Sequence, residues 1–309
     1  MQAVSRWPPA EPDLKTILRD HPRPLDALSR AEVPAIVLRG VYPQAACEKL
    51  FQRLIERDLL YDPDQPPPPK FVEASIPEGH YREGRDQRPT SDSHPRSSAS
   101  ARPVRIDIGT SLGYRGNDPP SFFAHAAQTH RLFESLFEGM ADPVKLIYHA
   151  LLALSLGKQV QTAHEPDGRK YGPAIIRAHY GGYAYKPHFD SVRLREKRTE
   201  FAAYRFDHQF AGVLVLRNSE RGDETAQCVL HRCLWTREIQ SHLDAETFHD
   251  YARENGIENV RVCLDMGDLY FFNTHCIHEV PGIEGHQPRV VLATFIGYST
   301  ERDEIFVWS

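Results

Sequence analysis

The chain is poor in cysteine, in net charge and in long apolar runs, and each shortage excludes something. Its 309 residues hold five cysteines: Cys47, Cys228, Cys233, Cys263 and Cys276. They are odd in number and scattered, and no CxxC pair occurs, so neither a disulfide framework nor a cysteine-rich zinc site fits. Reduced thiols in a cytoplasm are expected. A net charge of −5 gives no reason to expect a nucleic-acid or strongly membrane-attracted surface. The longest apolar stretch, around Leu146–Leu156, contains Tyr148 and His149 and is too short to span a bilayer. The opening "MQAVSRWPPAEPDLK" lacks the apolar run of a signal peptide.

What is present suits one large domain over 1–309 with an ample core. Residues 1–30 are polar and Pro-rich and are expected to form a loose N-terminal arm. "VPAIVLRGVY" (Val33–Tyr42) reads as a strand. A helix follows Pro43, with Cys47, Leu50, Phe51, Leu54 and Ile55 at helical spacing. The Pro-, Ser- and Arg-rich segment 61–102 has no apolar period and reads as a long loop, either a lid or a tolerated insertion. A strand over Pro103–Gly109 and helices over Ser121–Met140 and Asp142–Leu156 complete a half that spans 31–172. From Ala174 the pattern becomes short strands separated by turn signals, interrupted by a helical insert over 236–255. Helices first, then a β-core over 173–300, argue for an α+β protein built on a sandwich or jelly roll.

Within that β-half lies "KPHFDS", Lys186–Ser191. Residues two apart on a strand share a face, so His188 and Asp190 can aim an imidazole and a carboxylate at one point. Pro187 offers no N–H to a ladder and places this piece at a strand end or sheet edge. A second histidine from a distant strand would complete the facial set of a non-haem Fe(II) site, with positions left open. An HxD pair alone is weak evidence, because a hydrogen-bonded strand histidine is the ordinary case among 16 histidines. The C-terminal block "MGDLYFFNTHCIHEVPGIEGHQPRVVLATFIGYS" changes the balance.

Together these stretches resemble the 2-oxoglutarate and Fe(II)-dependent dioxygenases. "YKPHFD" is similar to the first metal motif of prolyl-4-hydroxylase-like members. "GDLYFFN" is similar to the turn and strand leading to the distal ligand, "HEVPGI" to the distal histidine motif, and Arg289 to the co-substrate arginine. The resemblance covers Ala174–Ser299, and Val33–Glu56 looks like the usual N-terminal strand and helix. It implies a double-stranded β-helix (jelly roll, cupin-like) core with N-terminal helices packed on one sheet. It also implies that His188, Asp190 and His278 carry catalysis and hold Fe(II). His275 competes for the distal role, but His278 lies nearer the family's spacing to Arg289. Arg289, with Tyr180 beside it, would bind 2-oxoglutarate, which dioxygen turns over to succinate and CO2. One departure stands out, because Val291 occupies the place where the family often has Ser or Thr.

Substrate signals are thin. Arg193, Arg195, Lys197 and Arg198 follow the metal motif and would meet a carboxylate or phosphate, or form a solvated basic loop. Tyr185, with Tyr183 and Trp235, would wall a pocket or simply pack in the core or on the surface. His80–Arg88 is a weaker candidate of the same kind. Related radical halogenases have Gly or Ala where Asp190 stands, which frees a site for halide. The expected function is therefore hydroxylation of a C–H bond of a small molecule, such as an amino acid or biosynthetic intermediate, with no nucleic-acid or membrane partner. The alternatives are a peptidyl or protein hydroxylase and a non-catalytic β-helix binding or sensor protein. A zinc hydrolase is a weaker alternative and gives Arg289 no role.

Overall fold

The computed structural model describes residues 7–13, 15–72 and 104–309. Two short helices, α1 (Ile17–Asp20) and α2 (Pro24–Ser29), precede strand β1 (Ala35–Leu38). Helix α3 (Gln44–Glu56) starts after Pro43 and buries Cys47, Leu50, Phe51 and Leu54. Next come α4 (Pro69–Val72), β2 (Val104–Ile108) and α5 (Leu112–Arg115). Helix α6 (Pro119–Leu136) opens on Asp118, whose carboxylate accepts from the Ser121 N–H. Helix α7 (Pro143–Leu154) opens on Asp142, which accepts from the Val144 and Lys145 N–H groups. Both caps satisfy donors that a helix start leaves open, and proline at the first turn costs no hydrogen bond.

The remainder is largely β: β3 (Gln159–Thr162), β4 (Ile175–Tyr180), β5 (Tyr185–His188), β6 (His208–Arg217), the small hairpin β7 (Glu220–Arg221) and β8 (Glu224–Thr225), and β9 (Cys228–Leu234). After helices α8 (Arg237–Asp244) and α9 (Phe248–Glu254) come β10 (Asn259–Val262), β11 (Leu269–Asn273), β12 (Cys276–Val280), β13 (Arg289–Tyr298) and β14 (Glu304–Trp308).

Two sheets face one another. The major sheet runs β1-β11-β6-β13-β14-β3, with β4 also on β13 and β2 on β4; the minor sheet runs β10-β9-β12-β5. Every described pairing between these strands is antiparallel except β14 with β3. Alternation divides the major sheet's side chains. Leu214, Phe271 and Leu292 pack outward with Leu54, Phe133 and Leu151 of the helices. Val213, Tyr270 and Val291 pack inward with Leu230 and Val280 of the minor sheet. This is the jelly roll with helices on one sheet that the sequence resemblance implied. The turn into β11 explains "GDLYFFN". Gly267 has φ +92, and a Cβ there would run into the Tyr42 carbonyl oxygen. Asp268 then accepts from the Gly40 N–H at 2.7 Å and from Arg39 Nη1 at 2.7 Å, tying β1 to the turn.

Two expectations change. Residues 7–13 and 15–30 are not a loose arm. Trp7 is 2% exposed and donates Nε1–H to the Ala31 carbonyl at 2.9 Å. Ala10 bridges to Ile36, and Ile17, Leu25 and Leu28 are buried. Sparse apolar residues without a period hid this segment, which packs by individual anchors. Of the long loop 61–102, residues 61–72 hold α4 and bury Tyr61 and Phe71. The rest, including His80–Arg88, lies outside the described residues. Trp7→Ala is expected to lower unfolding stability by about 3–5 kcal/mol in urea denaturation, as for other buried tryptophans; a loose arm would lose almost nothing.

Candidate metal centre and co-substrate pocket

His188 and His278 face each other because β5 pairs antiparallel with β12 in a register that sets His278 opposite His188. Strand β5 is the edge of the minor sheet, where Pro187 costs no ladder bond. Beyond the strand end the chain is tied to the turn before β12. Asp190 N–H donates to the Thr274 carbonyl at 3.0 Å, and Thr274 Oγ1 donates to the Asp190 carbonyl at 2.8 Å.

The three side chains converge. Asp190 Oδ2 lies 3.6 Å from His278 Nε2 and 3.8 Å from His188 Nε2, and one ligand atom from each residue lies within 4.8 Å of the others. Backbone carbonyls settle the tautomers. His188 Nδ1 meets the Lys186 carbonyl at 2.7 Å and His278 Nδ1 meets the Cys276 carbonyl at 2.9 Å. A carbonyl only accepts, so each Nδ1 carries the hydrogen and each Nε2 turns a lone pair inward. Burial, reinforced by His278, pushes the His188 imidazole down to about 3 and keeps it neutral. Burial alone would raise the Asp190 carboxyl. The side-chain contact with His278, and after it the neighbouring His188 and the Arg195 guanidinium, outweigh it and hold the carboxyl below the usual range. Two imidazole lone pairs and one carboxylate oxygen aimed at one point, with no proton among them, suit a divalent cation.

Arg195 completes the arrangement of Asp190. Its Nη1 donates to Asp190 Oδ1 at 3.1 Å and to the Phe189 carbonyl at 3.0 Å. One carboxylate oxygen is thereby held outward and the other is left for the cluster.

The cluster opens on a cavity between the inner faces of the two sheets, which Arg289, His179, Arg177 and Tyr185 also line. Arg289 is 6% exposed at the start of β13. It sits opposite His179 across the strand pair, with Nη1 3.5 Å from His179 Nδ1. His179 Nε2 meets the Tyr185 hydroxyl at 3.1 Å. Burial, with the charges of Arg289, Arg105 and Arg177, drives the His179 imidazole well below its ordinary value, so it is a neutral prop beside Arg289. Val213, Phe272, Val291 and Ala293 make the nearby wall apolar.

Not every expected residue is here. Tyr180 is on the other face of β4: its hydroxyl donates to the Tyr61 carbonyl at 2.9 Å and its ring stacks on Tyr61 at 3.9 Å. Alternation is the reason, since the side chain before it, His179, takes the inward place. Arg193 turns away to Asp207 at 2.7 Å. Arg195 is committed to Asp190, which removes it as a free substrate contact. Tyr185 does line the cavity. His275 is not in the cluster; its Nε2 meets Ser191 Oγ at 3.1 Å. Trp235 stacks on Phe189 at 4.7 Å, under the α8–α9 insert. His179 and Arg177 escaped the sequence reading. The alternation in "IIRAHY" placed them on one face, but only the β4–β13 register reveals that this face is the one Arg289 shares. A second group, His231, His249 and Glu279, lies on the outer side of the minor sheet. Glu279 accepts there from His231 Nε2 at 2.9 Å and faces His249 Nε2 at 3.4 Å, bracing α9 on β12.

Fold and sequence pattern define an enzyme of the 2-oxoglutarate and Fe(II)-dependent oxygenase superfamily, whose cofactors are iron, 2-oxoglutarate and dioxygen. A family model described as carrier-protein-independent halogenase WelO5 matches residues 85–309, and the chain belongs to that family. No curated protein matches the chain. Among solved structures, a novel N-substituted L-amino acid dioxygenase from Burkholderia ambifaria AMMD, in complex with alpha-KG, is similar at 13% identity and a TM-score of 0.53. The match covers 93% of this chain and 90% of that one. A second structure of that dioxygenase is similar at 15% identity and a TM-score of 0.51, covering 92% and 90%. At these identities the likeness is one of fold.

Folded-state depression of several histidines carries a pH signature. Burial, before any neighbouring charge, pushes His125 and His275 down to about 4 and His188 to about 3. The unfolded chain therefore binds more protons between its ordinary histidine value, near 6.5, and the folded values. Stability is full above about pH 6.5 and is lost as pH falls through about 4. The melting temperature of the metal-free protein is expected to fall steadily over that window. A flat profile from pH 7 to 4 would contradict these burials.

Proposed function

We propose that the chain hydroxylates a C–H bond of a small molecule, with His188, Asp190 and His278 holding iron and Arg289 binding 2-oxoglutarate. The observation that carries this reading is the convergence of two imidazole lone pairs and the Asp190 carboxylate. Iron held there would supply, with 2-oxoglutarate and dioxygen, the oxidising power needed to hydroxylate a C–H bond, with succinate and CO2 as the co-products. The protein's own groups do the placing. The Lys186 and Cys276 carbonyls fix which imidazole nitrogens face inward. Arg195 holds one Asp190 oxygen outward and leaves the other to face the cluster. Arg289 offers two parallel N–H bonds to the far carboxylate of 2-oxoglutarate, and neutral His179 steadies it without competing for charge. The apolar wall excludes water from the reacting carbon.

The family's described activity is halogenation, which needs a coordination position for halide. Asp190 fills the place that Gly or Ala leaves open in a radical halogenase, and this favours oxygen insertion. A small cavity between the inner faces of the two sheets favours a small molecule over a peptide laid in a groove, and presence of the whole donor set argues against a sensor without catalysis. The five cysteines are free thiols, in keeping with a reducing cytoplasm. No helix among the described residues is long and apolar enough to cross a membrane.

Two experiments test the reading. Losing a contact that merely orients a ligand costs about 10–100-fold in metal affinity, so losing a ligand costs at least about 100-fold. His278→Ala is expected to lose stoichiometric iron on that scale, whereas His275→Ala retains it; the reverse result would exchange their roles. In chloride buffer under 18O2, product from a succinate-forming substrate is expected to gain labelled oxygen. A chlorinated product would sink the hydroxylase assignment.

A further inference from the structure

The inner face of the major sheet carries more positive charge than its own residues neutralise. Strands β2, β4 and β13 set their side chains in rows: Arg105, His179 and Arg289 lie side by side, and Asp107, Arg177 and Val291 form the next row. Three guanidiniums therefore share one carboxylate. Arg105 takes it, with Nε donating to Asp107 Oδ1 at 2.9 Å and Nη2 to Oδ2 at 2.6 Å. That pair is buried, at 3% and 0% side-chain exposure. Arg177 is left over. Its Nε is 4.0 Å from Asp107 Oδ1, beyond hydrogen-bond reach. The same Nε is buried and has no hydrogen-bond partner among the described residues. Arg177 nevertheless lines the cavity into which His188, Asp190, His278 and Arg289 point.

A guanidinium stays charged and offers five N–H donors in a plane. Held at 18% side-chain exposure and sharing Asp107 with Arg105, without a carboxylate of its own among the described residues, it is a costly group for a folded protein to keep. The cost is removed when a ligand brings the anion. Two carboxylates arrive with 2-oxoglutarate, but under the reading above one binds iron and the other Arg289. A further carboxylate for Arg177 would then come from the other occupant of the cavity.

We propose that Arg177 is the docking residue for a carboxylate on the organic substrate, so that the enzyme acts on an organic acid. The planar fork matches a carboxylate bidentately. The apolar neighbours Ile175, Val291 and Ala293, which line the same cavity, suit the hydrocarbon part that the oxidised carbon belongs to. Arg177 is then a specificity-determining residue, distinct from Arg289 in which carboxylate it takes. The assignment rests on Arg289 being the co-substrate arginine, so the test separates the two.

The experiment uses the full chain loaded anaerobically with Fe(II) and 2-oxoglutarate, whose chelate gives a visible charge-transfer band. Benzoate, N-acetylglycine and a wider panel of aryl and N-acyl acids are titrated by calorimetry against their matched primary amides. In the wild type at least one acid is expected to bind about tenfold or more tighter than its amide. Arg177→Met removes that preference, and Arg177→Lys, a point charge without the fork, restores part of it. The dissociation constant of 2-oxoglutarate, read from the band, stays within about twofold in Arg177→Met and rises more than about tenfold in Arg289→Met. Absence of any acid-over-amide preference in the wild type overturns the proposal, and this arm needs no variant to fold. Transfer of the 2-oxoglutarate loss to Arg177→Met also overturns it. Failure of the wild type to form the band at all would instead strike the iron and co-substrate reading beneath it.

Discussion

The pairing of β5 with β12 is the constraint on which the site depends. It is a short antiparallel contact at the edge of the minor sheet, and its register places His278 against His188. A slip of one residue would send both imidazoles to opposite faces. The two Thr274 bonds extend the same contact past the strand end and carry Asp190 round to the pair. Backbone bonds therefore fix the position of all three donors before any ion is bound. The carbonyls two residues upstream of each histidine fix which nitrogen faces the ion. This is preorganisation by main chain, and it leaves the side chains little to rearrange.

The second constraint is electrostatic. The Asp190 carboxyl is held below its usual range with the Arg195 guanidinium donating to it, and Arg195 also decides which of its oxygens faces inward. Across the cavity the charge is reversed, with Arg289 and Arg177 on the major sheet. The cavity thus has one wall of imidazole and carboxylate donors and one of guanidiniums, with apolar side chains between them. That division suits a dianionic co-substrate spanning from metal to arginine.

Much of this was legible in the sequence, where a local pattern matches a local structure. HxD at a strand end, a proline at the edge, the Gly-Asp turn and an arginine entering a core strand each have a short-range physical reason. Tyr180 shows the limit. Strand β4 is buried on both faces, so "IIRAHY" alternates but does not declare which set of side chains faces the cavity. Only the pairing with β13 and β2, contributed by distant parts of the chain, assigns His179 and Arg177 inward and Tyr180 outward. Arg193 and Arg195 show a second limit. They lie in a loop without a period, and their partners, Asp207 and Asp190, are chosen by tertiary position. Trp7 and the first helices escaped for a related reason, since a few isolated anchors leave no repeating signal.

The claim that separates this chain from the halogenation for which its family model is described is that Asp190 occupies a coordination position. The most direct measurement is the anaerobic visible spectrum of the Fe(II) and 2-oxoglutarate complex as chloride is added. With Asp190 bound, the charge-transfer band is expected to form and to stay in place at saturating chloride, and Asp190→Gly to make it chloride-sensitive. A band in the wild type that shifts with chloride would mean that halide reaches the metal despite the carboxylate, and would contradict the account.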